Sequence, residues 1–144
     1  MNHAVVEYSV HDPSLPSSTP KVLCIDDDPE ISYAIEQHLR RFELHVLRSF
    51  HGMHGFTLAV KELPAVIIMD LAMPQGDGVT ILEWLRRNPQ TATIPAIVLT
   101  GMRDRKLAQK LFALGADQFL RKPVRCDELM HELSRFVDVR RRRL

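Results

Sequence analysis

From Lys21 onward, short apolar runs alternate with segments of helical period. The runs are Val22–Ile25, Leu44–Leu47, Ala65–Met69, Ala96–Leu99 and Gln118–Leu120. The first, third and fourth are almost wholly apolar, as expected of strands covered on both faces of a parallel sheet. The second and fifth carry polar residues and suit the sheet edges. Between the runs, apolar residues recur at helical spacing: Ile31, Ile35, Leu39 and Phe42; Met53, Phe56, Val60 and Leu63; Val79, Leu82 and Leu85; Leu107, Leu111 and Leu114; and Leu129, Leu133, Phe136 and Val137. Asp28-Pro29 supplies a helix cap followed by proline at the first helical position. The pattern predicts an α/β domain of (βα)5 type, a three-layer sandwich with right-handed crossovers.

Residues 1–20 break this rhythm. Pro13, Pro16 and Pro20 alternate with Ser14, Ser17, Ser18 and Thr19, which reads as a flexible N-terminal arm without packed structure. The domain proper is expected over 21–138, and 139–144 as a basic C-terminal tail carrying Arg140–Arg143. Cations there suit the end of the preceding helix.

Composition narrows the class. The chain has 144 residues, 45% hydrophobic and 26% charged, enough for one soluble domain with a real core. A net charge of +1 argues against nucleic-acid or membrane-surface binding by charge alone. No apolar stretch approaches the roughly 20 residues that span a bilayer, and no secretory signal pattern is visible at the start. Cys24 lies in an apolar run and Cys126 at an expected helix start, so a disulfide is not expected and a cytoplasmic, reducing setting fits. The seven histidines offer no metal set. His51 and His54 sit beside glycines at a helix start.

The chemistry follows from the strand ends. In open α/β sheets, ligands bind beyond the carboxyl ends of the strands, where strand order reverses. Here the first strand is followed by Asp26-Asp27-Asp28, the third by Asp70, the fourth by Thr100 and the fifth by Lys122-Pro123. With strand order 2-1-3-4-5, the first and third strands flank the reversal, and both end in aspartate. Asp26, Asp27 and Asp70 would repel one another at close range unless a cation intervened. A hard divalent ion with oxygen ligands, Mg²⁺ or Mn²⁺, answers that need. Beside it, Asp70 could act as a covalent nucleophile toward a phosphoryl group. Lys122 would pair with the acids before transfer and with phosphoryl oxygens after it, and the Thr100 hydroxyl could donate one further hydrogen bond. Asp28 reads as the helix cap, and Asp77 between Gly76 and Gly78 as turn chemistry.

Four segments together resemble a known family: Val22-Leu-Cys-Ile-Asp-Asp-Asp-Pro29, Ile68-Met-Asp-Leu-Ala-Met-Pro-Gln-Gly-Asp-Gly78, Ile94-Pro-Ala-Ile-Val-Leu-Thr-Gly101 and Gly115-Ala-Asp-Gln-Phe-Leu-Arg-Lys-Pro-Val124. In order, each at an expected strand end, they are similar to the signatures of response-regulator receiver domains of two-component signalling, which share the flavodoxin-like fold. The resemblance implies that Asp70 is phosphoacceptor and metal ligand, and that Asp26 and Asp27 bind metal, Asp27 more directly. It implies the Ala72 backbone carbonyl as a further ligand, Thr100 and Phe119 as a switch pair, and a cis peptide at Lys122-Pro123. Phe119 stands where tyrosine is frequent, and Gly101 where alanine is common. Ala72 and Met102 occupy positions that influence water access to the phosphoryl group.

The partners implied are a sensor histidine kinase or phosphotransfer protein, a downstream effector and, in some relatives, a second copy; no membrane or nucleic-acid partner is expected for this segment. Phosphorylation would alter the surface of the fourth helix, fifth strand and fifth helix. The expected role is a switch rather than a substrate-turning enzyme. A phosphatase of the haloacid-dehalogenase type would want an acid two residues after the nucleophile, where Ala72 stands. A flavodoxin-like cofactor carrier would meet three aspartates where its phosphate should sit.

Overall fold

The computed structural model describes residues 8–10, 12–72, 78–101 and 105–143. The elements run β1 (Tyr8–Val10), β2 (Lys21–Ile25), α1 (Pro29–Leu39), β3 (His45–Ser49), α2 (Gly52–Glu62), β4 (Val66–Asp70), α3 (Gly78–Arg87), β5 (Ala96–Thr100), α4 (Arg105–Ala113), β6 (Gln118–Arg121) and α5 (Cys126–Ser134). The sheet order is β1-β3-β2-β4-β5-β6. β2 to β6 pair in parallel and give the 2-1-3-4-5 order expected for a (βα)5 sandwich.

Alternation along the parallel strands explains both cores. Leu23, Ile25, Ile67, Met69 and Val98 enter one cluster with Leu58, Ala59, Ile81, Leu82, Leu85 and Leu111 from α2, α3 and α4. Val22, Cys24, Val66, Ile68, Ile97 and Leu99 enter the other with Ile35, Leu39, Leu129 and Leu133 from α1 and α5. Both faces being covered, β2, β4 and β5 have little room for exposed polar groups, and each buried aliphatic side chain contributes about 1.5–3 kcal/mol. The structure also anchors α1 through a polar contact that the apolar pattern hides. Buried Arg48 at the end of β3 donates to Glu36 Oε2 (2.8 Å), Ser32 Oγ (2.8 Å) and Pro29 O (3.2 Å), so the first turns of α1 are tied to the sheet.

Three expectations are corrected. The α2 stripe of Met53, Phe56, Val60 and Leu63 is not the core face: Met53 and Leu63 are 56% and 53% exposed, while Gly55, Leu58 and Ala59 face inward. The helix lies so near the sheet that a Cβ on Gly55 would stand 2.5 Å from Ile25 Cδ1, and only small residues fit that close approach. Of that stripe, Phe56 does pack against the core margin, where it meets Trp84 edge-on with ring centroids 5.7 Å apart.

The segment before Lys21 is not free of packed structure. β1 pairs antiparallel with β3, covering backbone groups that an edge strand leaves open. Pro20 O accepts from His45 N (2.9 Å), Pro16 O lies 3.1 Å from His45 Nε2, and Asp12 forms an ion pair with Arg142. Residues 1–7 lie outside the described residues.

The basic run also docks. α5 ends at Ser134, and Arg141 forms an antiparallel bridge with Phe42. Arg142 N donates to Arg41 O (3.0 Å) and Glu43 N to Arg140 O (2.7 Å). The turn after α1 leaves backbone groups that this strand-like segment satisfies.

Candidate phosphoacceptor and metal site

Four strand ends build the site. β2 stops at Ile25, and Asp26 continues its ladder by donating from N to Ser49 O (3.0 Å). Asp28 then caps α1: its Oδ1 accepts from Glu30 N (2.9 Å) and Ile31 N (3.4 Å), with Pro29 at the first helical position. This local geometry places Asp26 and Asp27 in the short connection between strand and helix. β4 ends in Asp70 itself, whose Oδ1 accepts from Ala72 N at 3.3 Å. Gly78 opens α3 directly behind: its N donates to Leu71 O (3.1 Å), and a Cβ there would meet Leu71 O at 2.7 Å and Asp70 O at 2.8 Å. A side chain at position 78 would therefore push against the backbone that carries Asp70.

Side-chain oxygens of Asp26, Asp27 and Asp70 all lie within 4.8 Å of one another. Asp26 is fully buried and Asp70 is 5% exposed, while Asp27 is the more open of the three. Opposite them, Lys122 reaches in from the exit of β6. Its Nζ lies 3.3 Å from Asp26 Oδ2 and 3.2 Å from Asp70 Oδ1. The Lys122-Pro123 peptide is cis, and Lys122 N donates to Thr100 O (2.8 Å). Thr100 ends β5 and is 3% exposed.

Burial pushes the Asp26 carboxyl above the ordinary carboxylate range, and the Asp70 charge adds to this. The Asp28 amide and the Lys122 ammonium oppose the shift without cancelling it. Burial works against the Lys122 ammonium too, but Asp26 and Asp70 outweigh it and hold its pKa above that of an ordinary lysine. Among the described residues, the Lys122 ammonium pairs with two of the three clustered acids. The donor set is all oxygen, tightly grouped and under-neutralised, which fits a hard divalent ion. Asp26, Asp27 and Asp70 are the side chains that could hold it, and Ala72 lies beside them in the chain.

The switch pair expected from the sequence occupies adjoining strands. Phe119 on β6 is half-buried and stands in register with Val98 on β5, two residues before Thr100. Its ring meets Phe112 of α4 edge-on, with centroids 5.6 Å apart. Met102, Gly76 and Asp77 lie outside the described residues. Cys24 is buried, its thiol pushed up to about 12 chiefly by that burial, and Cys126 is exposed at the start of α5; both are free. His51 precedes α2 and packs its ring against His54. Among the described residues, no helix is long and apolar enough to cross a membrane.

Comparison with known proteins agrees with this fold. Residues 22–134 match the model of the response regulator receiver domain. The chain is 37% identical over 111 residues to the DNA-binding dual master transcriptional regulator RpaA of Synechocystis sp., covering 77% of this chain and 46% of that protein. It is 30% identical over 116 residues to the protein PilH of Pseudomonas aeruginosa, covering 79% of this chain and 94% of PilH. The chain spans less than half the length of several curated relatives it matches, RpaA among them. Among solved structures, the chemotaxis protein CheY4 of Vibrio cholerae superposes with a TM-score of 0.79 at 28% identity, covering 83% of this chain and all of that one. With its parallel sheet, its acid cluster at the strand ends and a family match over most of its length, the chain belongs to the response regulator receiver domain family of two-component signalling.

Proposed function

We propose that Asp70 accepts a phosphoryl group from a histidine kinase or phosphotransfer protein, and that this modification switches the binding preference of the α4, β6 and α5 face. The observation that carries the reading is the Lys122 ammonium held between Asp26 and Asp70, at 3.3 and 3.2 Å, in an otherwise acidic cleft. An Asp70 carboxylate oxygen attacks phosphorus in line. The phosphorus–oxygen bond to Asp70 forms as the bond to the donor nitrogen breaks. Lys122 pairs with the transferred phosphoryl oxygens, and Thr100 donates from its hydroxyl. Asp26, Asp27 and Asp70, with the Ala72 carbonyl, would hold a Mg²⁺ or Mn²⁺ ion, which when bound would supply positive charge to offset that of the phosphoryl group.

Once Thr100 turns toward the phosphoryl group, the space it leaves favours an inward Phe119. That movement parts Phe119 from Phe112, which is 45% exposed on α4. The effector face thus changes shape, and the two arrangements shift in population rather than being created anew. Substrate turnover is not part of this role: the exposed Ala72, two residues after Asp70, offers no general acid.

The test is modification of the full chain by a small phosphodonor with Mg²⁺, or saturation with beryllofluoride, followed by mass spectrometry and fluorescence of Trp84. One phosphoryl group should be gained, and Asp70→Asn should gain none. Persistent labelling of that variant would place the acceptor elsewhere.

A further inference from the structure

The opposite pole of the domain gathers cations. Arg40 caps the end of α1 and Arg41 follows it. The Phe42–Arg141 bridge brings the C-terminal arginines back alongside them. Arg40, Arg41, Arg141 and Arg142 line one cavity of about 460 Å³. α1 has 11 residues, so about 16 Å of helix separates this cavity from the Asp28 cap beside the acid cluster.

Their charges are only partly balanced. Arg142 is paired with Asp12. Arg40 lies 2.9 Å from Glu36, but Glu36 is shared with buried Arg48. Arg41 and Arg141, both exposed, have no carboxylate partner among the described residues; Arg141 rests over the Phe42 ring at 5.9 Å. The effect reaches His38, one turn back on α1. Burial first, and then Arg41 and Arg141, hold its pKa below the ordinary histidine value.

We propose that this cavity is a binding site for a small oligophosphate, such as pyrophosphate or the phosphate chain of a nucleotide. Guanidinium forks match phosphate oxygens in pairs. Several forks around one concavity suit an anion with several phosphate oxygens better than a single carboxylate. The volume falls in the range of small-molecule sites. A nucleic-acid footprint would instead run as a basic stripe over a strongly basic domain, and this chain carries a net charge of only +1. The site stands apart from Asp70 and does not depend on phosphorylation there.

The experiment is calorimetric titration of the full chain with sodium pyrophosphate in EDTA, with ATP as a second ligand and the His38 imidazole followed by NMR. Saturable one-to-one binding is expected. It should weaken tenfold or more in Arg41→Ala, which removes an exposed side chain without a carboxylate partner, and in Arg141→Ala. Asp70→Asn should bind as tightly as the parent. The His38 pKa should rise on binding, because the anion offsets the nearby guanidinium charges. Absence of saturable binding by both ligands at millimolar concentration would overturn the proposal, as would binding indifferent to both arginine substitutions or lost in Asp70→Asn. Retention on phosphatidylglycerol vesicles or duplex DNA without pyrophosphate or ATP binding would overturn it too, assigning the patch to a lipid surface or nucleic acid.

Discussion

The carboxyl ends of the strands and the far end of α1 solve opposite electrostatic problems with different means. At the first, three carboxylates lie together and two of them, Asp26 and Asp70, share the Lys122 ammonium. At the second, four guanidiniums share the cavity wall, with Asp12 and Glu36 as their carboxylate partners among the described residues. Asp26 is fully buried, so the imbalance is stored there as a raised pKa, and the grouped carboxylates favour a cation. The arginines lie nearer water, where screening softens like-charge repulsion. The acidic end is therefore the more tightly strung of the two, and substitutions there should act more strongly.

The largest effect is expected at Lys122. Lys122→Met removes the ammonium facing both Asp26 and Asp70, and phosphorylation by a small donor should slow roughly 100-fold, as when one preorganised stabilising group is lost. Stopped-flow Trp84 fluorescence would measure it, and an unchanged rate would break the contrast between the poles.

Asp26→Asn should move the other way in stability. Asp26 has its folded pKa raised, so its contribution to stability is present below the unfolded value and is lost as pH rises through the folded one. At neutral pH without divalent ions, the asparagine variant should therefore be more stable, by about 1 kcal/mol or about 3 °C in Tm. Differential scanning calorimetry with and without Mg²⁺ would show a higher metal-free Tm and a smaller gain on adding the ion.

The smallest effect belongs to the arginine pole. The Asp12 carboxyl is held well below the usual range, by its Ser14 hydrogen bond first and the Arg142 guanidinium next. That contribution is present above the ordinary carboxylate pKa and is lost as pH falls through the depressed folded value. Asp12→Asn at pH 7 should speed amide exchange in β1 several-fold and leave phosphoryl uptake unchanged.

The grouping of acids and lysine was legible because it is written in strand ends. Asp26, Asp27, Asp70, Thr100 and Lys122 each follow an apolar run, and the βα alternation forces those termini to one edge. Cys24, Ile68 and Val98 were likewise readable as core, since a doubly covered strand admits little else. What escaped was set by approach distance and by pairing across the chain. The α2 face was misread because two of the residues beside Leu58 on its inward side, Gly55 and Ala59, are too small to mark it. β1 and the docked arginines follow from an open sheet edge and an unfinished turn after α1. Pro- and Ser-rich composition on one side and four successive arginines on the other gave no sign that either segment would pack. Arg48 was likewise hidden, its partners Ser32 and Glu36 lying on α1 in an earlier part of the chain.

The contact of Gly55 with Ile25 has a consequence for how this protein tolerates change. Ile25 immediately precedes Asp26, so the spacing of α2 is gauged by the residue that also aims the buried acid. A single added methyl on that helix, carrying no charge of its own, would be transmitted as a shove on the acid cluster. Drift in the acid cluster can thus begin at a wholly apolar position.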